Sequence, residues 1–298
     1  MTSKSVLYMR CHRPLPNTQG MAIWEGRAFM LYNTGVCAVF DLKTRSRKPL
    51  DVFPLASYNV GKPTRDYLNH ANSCMFGAVH KGNNPIPLLY VTVGSGTGYD
   101  EDGYFYRCAV ENIEEQEDGC FQSELVQTIT YHPEGSLQEG TEPPCWGSPC
   151  FLVDNGGGFL YLFSARYRTK RDCVPEGKEN AYIITKFPLP DPKQGGMVRL
   201  RPEDILEQFC VPSDVLFTQG GTIYNSRLYY TFGYPKGGYP LHIMAFDLKR
   251  KTLCAQVDDL TECFYGEEIE CCGVYQGRLL CNTCDGSIFE IQEGLLPL

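Results

Sequence analysis

Basic charge is scarce in this chain of 298 residues. Lysine and arginine number 27 against 35 aspartates and glutamates, which gives a net charge of −8, and the basic residues are scattered along the sequence. Proteins that bind nucleic acids neutralise phosphates with clustered Lys and Arg side chains. The sequence therefore predicts no nucleic-acid partner.

Long apolar runs are also missing at the start of the chain. Residues 1–16 carry Arg10, His12 and Arg13 and contain no continuous apolar stretch. A secretory signal needs an apolar core of about 7–15 residues, and a membrane-spanning helix needs about 20. We therefore expect neither a signal peptide nor membrane insertion, and the compartment is left open.

Several motifs of enzyme and cofactor chemistry are absent. There is no G-x-S-x-G nucleophile motif, and the five histidines lack the paired spacing that holds zinc on a helix. The glycine-rich run 94–98 has no following Lys or helix, so it does not match a phosphate-binding loop. We predict no cofactor.

Cysteine, in contrast, is abundant, with 15 residues. Most of them, such as Cys37, Cys74, Cys108 and Cys150, lie inside apolar runs that are typical of strands. Buried thiols behave as small apolar side chains, and this placement favours them over a disulfide framework. The pattern predicts a reducing or anaerobic setting.

One group of cysteines resembles a zinc site. Cys281 and Cys284 are spaced as C-x-x-C, and the pair Cys271-Cys272 lies nearby. A hairpin turn at 276–277 would pair Cys272 with Cys281 and point Cys271 to the opposite face, because neighbouring strand residues alternate. We therefore predict no metal site.

The strongest signal in the sequence is an internal repeat. Thr-Gln-Gly at 18–20 is followed by Phe-Asp-Leu-Lys at 40–43, and the same two elements recur at 218–220 and 246–249. A weaker third copy spans 274–291. Self-similarity of this kind indicates a repeat architecture.

Short apolar runs between Gly, Pro and Asn clusters predict five repeats of three or four strands. The predicted strands are 19–24, 27–33, 36–42 and 50–55; 70–79, 86–93, 103–110 and 122–131; 148–153, 159–165, 181–187 and 205–211; 219–224, 227–232, 241–247 and 252–257; and 268–275, 278–283 and 287–291. The fifth repeat lacks one strand, and the run 5–10 can supply it. Closing the ring in this way removes exposed sheet edges.

We therefore predict an all-β fold, a single five-bladed β-propeller domain over residues 1–298 that is closed by its N-terminal strand. Six blades are the main alternative. Residues 201–208 are expected to form at most one or two helical turns.

The long connections of this predicted ring all open onto one end. They lie at 56–69, 94–103, 132–147, 166–180 and 233–240. Ligand sites are commonly built from loops that a rigid scaffold positions. We therefore expect the ligand site at this end, around the first residues of the innermost strands.

Polar residues dominate those first positions. Buried polar groups need partners, so the ring predicts either hydrogen bonds between blades, made by Gln19 and Gln219, or a polar ligand site at the mouth of the central channel. The predicted ligand-binding residues are Gln19, His70, Asn72, Ser148, Gln219 and Glu268 for hydrogen bonding and Trp146 and Tyr234 for stacking.

These motifs carry a family resemblance. Thr-Gln-Gly, Asn-His-Ala-Asn-Ser at 69–73, Pro-Leu-Leu-Tyr at 87–90 and Glu-Glu-Ile-Glu at 267–270 resemble motifs of five-bladed propellers of the lectin and phage receptor-binding type. They also resemble uncharacterised propellers from gut Bacteroidetes and their phages. The resemblance implies recognition of a glycan or another cell-surface polymer.

Three functions stay open at this point. The first is non-catalytic binding of a carbohydrate or surface polymer at the channel mouth. The second is glycoside hydrolysis, which needs two carboxyl groups at a fixed separation and would use Glu268 or Glu270 with a loop carboxylate; Asp66, Asp100, Asp102 and Glu142 are the loop candidates. The third is a protein-interaction scaffold that uses the rim of the propeller. The oligomeric state is not indicated.

Overall fold

A computed structural model describes residues 4–33, 35–58, 71–93, 106–132, 135–142, 146–167 and 173–298 of the chain. This part contains 21 strands and four single-turn 3-10 helices. The strands form five small sheets that surround one axis. The predicted five-bladed β-propeller is confirmed, and the alternative of six blades is wrong.

Each blade is an antiparallel meander that runs from the axis outwards. Blade one contains β2 (Thr18–Trp24), β3 (Arg27–Tyr32), β4 (Val36–Asp41) and β5 (Asp51–Pro54); blade two contains β6 (Ala71–His80), β7 (Pro87–Val93), β8 (Tyr106–Glu115) and β9 (Phe121–Tyr131); blade three contains β10 (Trp146–Asp154), β11 (Phe159–Ala165), β12 (Ala181–Pro188) and β14 (Glu207–Pro212). Blade four contains β15 (Thr218–Tyr224), β16 (Arg227–Tyr234), β17 (Tyr239–Asp247) and β18 (Thr252–Val257), and blade five contains β19 (Ile269–Tyr275), β20 (Arg278–Thr283), β21 (Ser287–Ile291) and, outermost, β1 (Ser5–Arg10).

The short turns after the innermost strands are alike in blades one, four and five. Glu25-Gly26, Asn225-Ser226 and Gln276-Gly277 all have positive φ angles at both residues. Two positive φ values define the type I′ turn, whose twist matches that of the flanking strands. One end of the propeller therefore carries tight hairpins in these blades, and we call it the plain end; the opposite end, with the long connections, is the elaborated end.

The N-terminal strand closes the ring as predicted. β1 pairs antiparallel with β21, with Ser5 opposite Ile291 and Arg10 opposite Ser287. The Tyr8 hydroxyl donates a hydrogen bond of 2.8 Å to the carbonyl oxygen of Leu42 in blade one. The first strand of the chain thus completes the last blade and also joins it to blade one.

One strand has no counterpart in the sequence predictions. β13 (Gly196–Leu200) lies between β12 and β14 in the chain, but it pairs in parallel with β9 at the outer edge of blade two. The Thr130 hydroxyl of β9 also donates to the carbonyl oxygen of Val198 at 3.3 Å. This excursion covers the edge of blade two and links it to blade three. The predicted helix nearby is a single 3-10 turn, Pro202–Asp204.

The core lies between the blades and is rich in aromatic rings. Phe163 of blade three stacks on Tyr230 of blade four at 3.8 Å between ring centroids, and Phe29 of blade one meets Phe76 of blade two edge to face at 5.0 Å. Burying a side chain of this size contributes about 1.5–3 kcal/mol. The repeated interfaces therefore make neighbouring blades support one another.

The axis itself is filled by small side chains. Ser73 of β6 accepts a hydrogen bond from the Gly221 backbone N–H at 3.3 Å and donates to the Gly221 carbonyl oxygen at 3.1 Å. Cys271 of β19 lies 3.5 Å from the Ser73 hydroxyl and 3.8 Å from the Met21 carbonyl oxygen. Strands from blades one, two, four and five therefore touch at this level, which we call the hub.

The cysteines follow the predicted pattern in the part of the chain that the structure covers. Cys37, Cys74, Cys108 and Cys150 are buried, and all the described cysteines are free thiols. Within the described ranges, none of the helices has the length and apolarity of a bilayer-crossing segment.

Candidate functional site at the channel mouth

All five innermost strands are irregular at the same place. Their pairing register shifts near the elaborated end, between residues 18 and 21, 71 and 73, 146 and 150, 218 and 221, and 269 and 271. A bulge of this kind redirects a side chain and is common beside functional sites. Each shift contains one polar residue, and we call these five residues the bulge ring: Gln19, Asn72, Ser148, Gln219 and Glu270.

The bulge ring contains four of the eight predicted ligand-binding residues and the catalytic candidate Glu270. Gln19 and Gln219 are nearly buried, with 5% and 9% of their surface exposed. Asn72 and Ser148 lie in β6 and β10, and Trp146 begins β10; the side chains of these three lie outside the described part of the structure. His70 lies outside it entirely, as do the loop carboxylates Asp66, Asp100 and Asp102.

The inner strands contact one another in the order β2, β6, β10, β15, β19 and back to β2. Gln219, Glu270 and Gln19 therefore lie in the register shifts of three consecutive strands. Polar residues of the second strands connect neighbouring blades. Asn282 of β20 donates to the Gln19 backbone oxygen at 2.7 Å, and Thr92 of β7 accepts from the Phe151 backbone N–H at 2.8 Å. Part of the blade-to-blade bonding thus comes from the second strands, through the inner-strand backbone.

The side chain of Gln219 is fixed by two hydrogen bonds. Its amide nitrogen donates to the Gly233 carbonyl oxygen at 3.0 Å and to Glu268 Oε1 at 2.7 Å. Both amide hydrogens are therefore engaged, one within blade four and one across to blade five. The inter-blade alternative that the sequence leaves open is realised for Gln219, and the same bond positions the carboxylate of Glu268.

Glu270 is the most deeply buried acid of the channel mouth, with 3% of its surface exposed. Its carboxyl group makes no hydrogen bond to any other residue that the structure describes. Burial, followed by the nearby charges of Glu268 and Asp285, raises the pKa of Glu270 well above its ordinary value. Glu270 therefore holds a proton more readily than an exposed glutamate does.

Glu268 lies beside Glu270 but is more accessible. Burial raises the pKa of Glu268, and the hydrogen bond from Gln219 and the charge of Lys236 oppose that effect. The two acids belong to one blade and differ in surroundings, so they differ in how readily they ionise. The prediction that Glu268 and Glu270 share one blade is confirmed by their position on and beside β19.

Cys284 completes this cluster, whereas the sequence considered it only as part of the C-x-x-C motif and did not place it beside the two acids. One oxygen of Glu268, one oxygen of Glu270 and the Sγ atom of Cys284 lie within 4.8 Å of one another. Cys284 reaches this place because its backbone N–H donates to the Glu268 carbonyl oxygen at 2.9 Å, which extends the pairing of β19 and β20 by one step. The extra pairing step, and hence the proximity, has no signal in residue spacing.

The other cysteines of the suspected zinc motif do not join it. Cys272 pairs directly with Cys281, as predicted, and its thiol donates to the Tyr229 carbonyl oxygen at 3.6 Å. Cys271 points to the hub instead. Alternation along β19 therefore separates the two neighbours, and a site made of all four thiols is excluded.

Aromatic rings stand at the rim beside Gln219. Tyr234 stacks on Phe217 with ring centroids 5.0 Å apart, and Phe217 contacts Tyr239 at 5.1 Å. Tyr234 follows Gly233, whose carbonyl oxygen Gln219 binds. One face of Tyr234 is thus used in packing, while residues 236–238 of the loop that follows it are exposed.

Glu142 does not converge on the mouth acids. Arg166 holds it with two hydrogen bonds, of 2.7 Å from Nε and 2.6 Å from a terminal nitrogen, and Gln208 binds both the N–H and the carbonyl oxygen of the Glu142 backbone. This acid therefore serves an ion pair at the edge of blade three, and the expectation that it joins Glu268 or Glu270 is not supported.

Comparisons with known proteins give fold but not family. No family model matches the chain, and no curated protein matches it. Among solved structures, a glutaminyl cyclase from Myxococcus xanthus is similar with a TM-score of 0.51 and 13% identity over 97% of this chain and 95% of that one. Raptor from Chaetomium thermophilum is 12% identical, with a TM-score of 0.40; the match covers 99% of this chain and 22% of Raptor. What this chain shares with the cyclase is the propeller fold.

Proposed function

We propose that the chain is a non-catalytic binding propeller that recognises a carbohydrate, as part of a glycan or surface polymer, at its channel mouth. The assignment to the lectin and receptor-binding type of propeller belongs to this proposal. It rests on the confirmed fold and on the polar and aromatic side chains of the bulge ring and of the residues next to it.

The supporting observation is the excess of hydrogen-bond acceptors at the mouth. The side-chain nitrogen of Gln219 donates to Gly233 and Glu268. The acceptors that remain for a ligand are the side-chain oxygen of Gln219 and the carboxyl groups of Glu268 and Glu270. Buried polar groups without partners are costly. The hydroxyl groups of a sugar are donors that suit such acceptors, and an aromatic rim next to them suits the apolar face of a sugar ring.

A glycan-array screen of the purified chain tests this proposal, with calorimetric titration of each hit. Gln219→Ala is expected to lower the affinity for a bound glycan at least about tenfold, because it removes one ring group and releases Glu268. Gln276→Ala is the matched control, since Gln276 is exposed in a hairpin at the plain end. Absence of any glycan hit, or equal effects of the two variants, would contradict the proposal.

Glycoside hydrolysis is the second candidate, and one distance favours it. Oxygens of Glu268 and Glu270 lie within 4.8 Å, close to the separation of about 5–5.5 Å in retaining glycosidases. The more deeply buried Glu270 would act as the acid and Glu268 as the nucleophile. The test is release of reducing sugar from a bound glycan over time: release that stops in Glu268→Gln supports hydrolysis, and binding without release supports the first proposal.

A further inference from the structure

The geometry points to a divalent metal site at the channel mouth, formed by Glu268, Glu270 and Cys284, and we propose that it takes zinc or a similar borderline-soft cation. The site shares the mouth with the proposed carbohydrate site, and its role in holding a sugar rests on that proposed function. Binding of the metal itself does not require a glycan.

The first step of the argument is the placement of the donors. One ligand atom from each of the three residues lies within 4.8 Å of the other two. A cation at about 2.0–2.3 Å from carboxylate oxygen and thiolate sulfur fits between them after small side-chain rotations. All three donors lie at one end of the β19–β20 hairpin: a backbone hydrogen bond joins Cys284 to Glu268, and Glu270 lies in the adjacent bulge between Ile269 and Cys271.

The second step concerns the hydrogen bonding of the Glu270 carboxyl group. This side chain is 3% exposed and points at Glu268 and Cys284, yet its carboxyl group has no hydrogen-bond donor among the residues that the structure describes. Two acids and a thiol that face each other in a buried place repel when they ionise. A cation between them removes that repulsion and supplies the missing partner.

The third step is the choice of ion. A thiolate with two carboxylates suits zinc, because calcium and magnesium take oxygen ligands. Three protein ligands leave the fourth position of a tetrahedral ion open for a water or a sugar hydroxyl group. On binding, the Cys284 thiol releases its proton to solvent, as does either carboxyl group if it carries one, so that all three ligands are anions.

Neighbouring residues support the ligands as an outer shell does in known metal sites. The Gln219 amide donates to Glu268 Oε1, and the Cys284 backbone N–H donates to the Glu268 carbonyl oxygen. Outer-shell bonds of this kind orient ligands, and their loss typically lowers metal affinity about 10–100-fold. Gln219 is thus a positioning residue in this proposal.

The experiment is a titration of the metal-free full chain with Co²⁺ alone, which reports a thiolate ligand through a charge-transfer absorption band, followed by competition with Zn²⁺ and with Ca²⁺. We expect one Co²⁺ per chain with tetrahedral and thiolate signatures, displaced by Zn²⁺ and unaffected by Ca²⁺. Cys284→Ser should abolish the thiolate band, and Glu270→Gln should lower the affinity at least about tenfold.

Cys120→Ser is the matched control, because Cys120 is an exposed thiol in the β8–β9 turn; it should bind as the unmodified chain does. Circular dichroism verifies that each variant is folded, and Glu268→Gln replaces any variant that is not. Retention of the thiolate band in Cys284→Ser, equal loss in Cys120→Ser, or no binding at all would overturn the proposal. Glycan binding before and after removal of metal with a chelator is scored separately, so a chain that binds Co²⁺ but no glycan refutes the proposed function and leaves the metal site standing.

Discussion

Two residues of the bulge ring differ in their bonding, although both lie in the register shift of an innermost strand. Gln219 of blade four is bonded to its neighbours, whereas Glu270 of blade five is not bonded to any side chain in the described ranges. The amide therefore contributes to the scaffold, and a role for the acid belongs to the proposals above.

This difference predicts the effect of placing a carboxylate at position 219. Gln219→Glu replaces an amide that donates to Glu268 with a carboxylate that repels it, and the Gly233 carbonyl oxygen loses its donor. We expect the free energy of unfolding to fall by about 1–3 kcal/mol, measured by urea denaturation at pH 7. Gln276→Glu, at the exposed hairpin, should change it little, and equal losses in the two variants would argue against the role of Gln219.

The ion pair of Glu142 and Arg166 predicts a pH dependence. Hydrogen bonds from the Arg166 guanidinium hold the pKa of Glu142 below its ordinary value of 4.5. The folded state therefore binds this proton less readily than the unfolded state, so the pair stabilises the fold above pH 4.5 and ceases to do so as the pH falls through the lowered pKa. Both side chains are about one third exposed, so the effect is below about 1 kcal/mol.

Melting temperatures recorded from pH 6 to pH 3 provide the measurement. The unmodified chain should lose more stability over this interval than Arg166→Gln, in which the carboxyl group has no guanidinium partner. Curves that stay parallel at every pH would show that the pair does not stabilise the fold.

At the scale of single elements, the inner strands are the most constrained part of the molecule. They carry the bulge ring at one end and the hub in the middle, and strands from blades two and four meet there directly through Ser73 and Gly221. A Cβ atom on Gly221 would collide with the Tyr229 carbonyl oxygen and lie 2.6 Å from Cδ2 of Tyr230. The close approach of β16 to β15 at this position therefore requires glycine.

Gly221→Ala is therefore expected to destabilise the protein by about 1–3 kcal/mol, the usual range for overpacking. Gly156→Ala is the control, because the backbone of Gly156 does not have a positive φ and the nearest atom to the new Cβ, an Asp154 oxygen, would lie at 3.5 Å. Chemical denaturation of both variants checks the prediction. A loss in Gly221→Ala no larger than in the control would contradict the close packing at the hub.

The elements show which features can be predicted from sequence. Strand positions follow from local alternation and turn chemistry, so the predicted 227–232 and 278–283 match β16 and β20 closely. β13 was not predicted because its partner β9 lies about a quarter of the chain away and its five residues have no repeat equivalent. The position of Cys284 beside the two acids was missed for a related reason, since the contact of its side chain with Glu270 depends on one extra step of strand pairing that residue types do not specify.

At the scale of the whole molecule, stability depends on closure of the ring. β1 supplies the outer strand of blade five, and it buries some side chains and exposes others, with Met9 5% exposed and Val6 56% exposed. Because each blade packs on its neighbours, a defect at the closure should lower the stability of distant blades as well.

The two tryptophans of the chain, Trp24 in β2 and Trp146 in β10, allow this to be measured. Met9→Ala should lower the free energy of unfolding by about 2–5 kcal/mol, with the same transition midpoint reported from blade one in Trp146→Phe and from blade three in Trp24→Phe. Val6→Ala should cost less than about 0.5 kcal/mol. Separate midpoints for the two reporters would indicate that closure does not couple the blades.

The filled axis has a consequence for any long ligand. Ser73, Gly221 and Cys271 block the passage just beneath the mouth, so a polymer cannot thread through this propeller and must arrive and depart on one side. Only a chain terminus or a side branch can dip towards Glu270, while the remainder lies across the rim. Affinity should accordingly grow with the number of free ends in a preparation and be insensitive to the length of an unbranched chain.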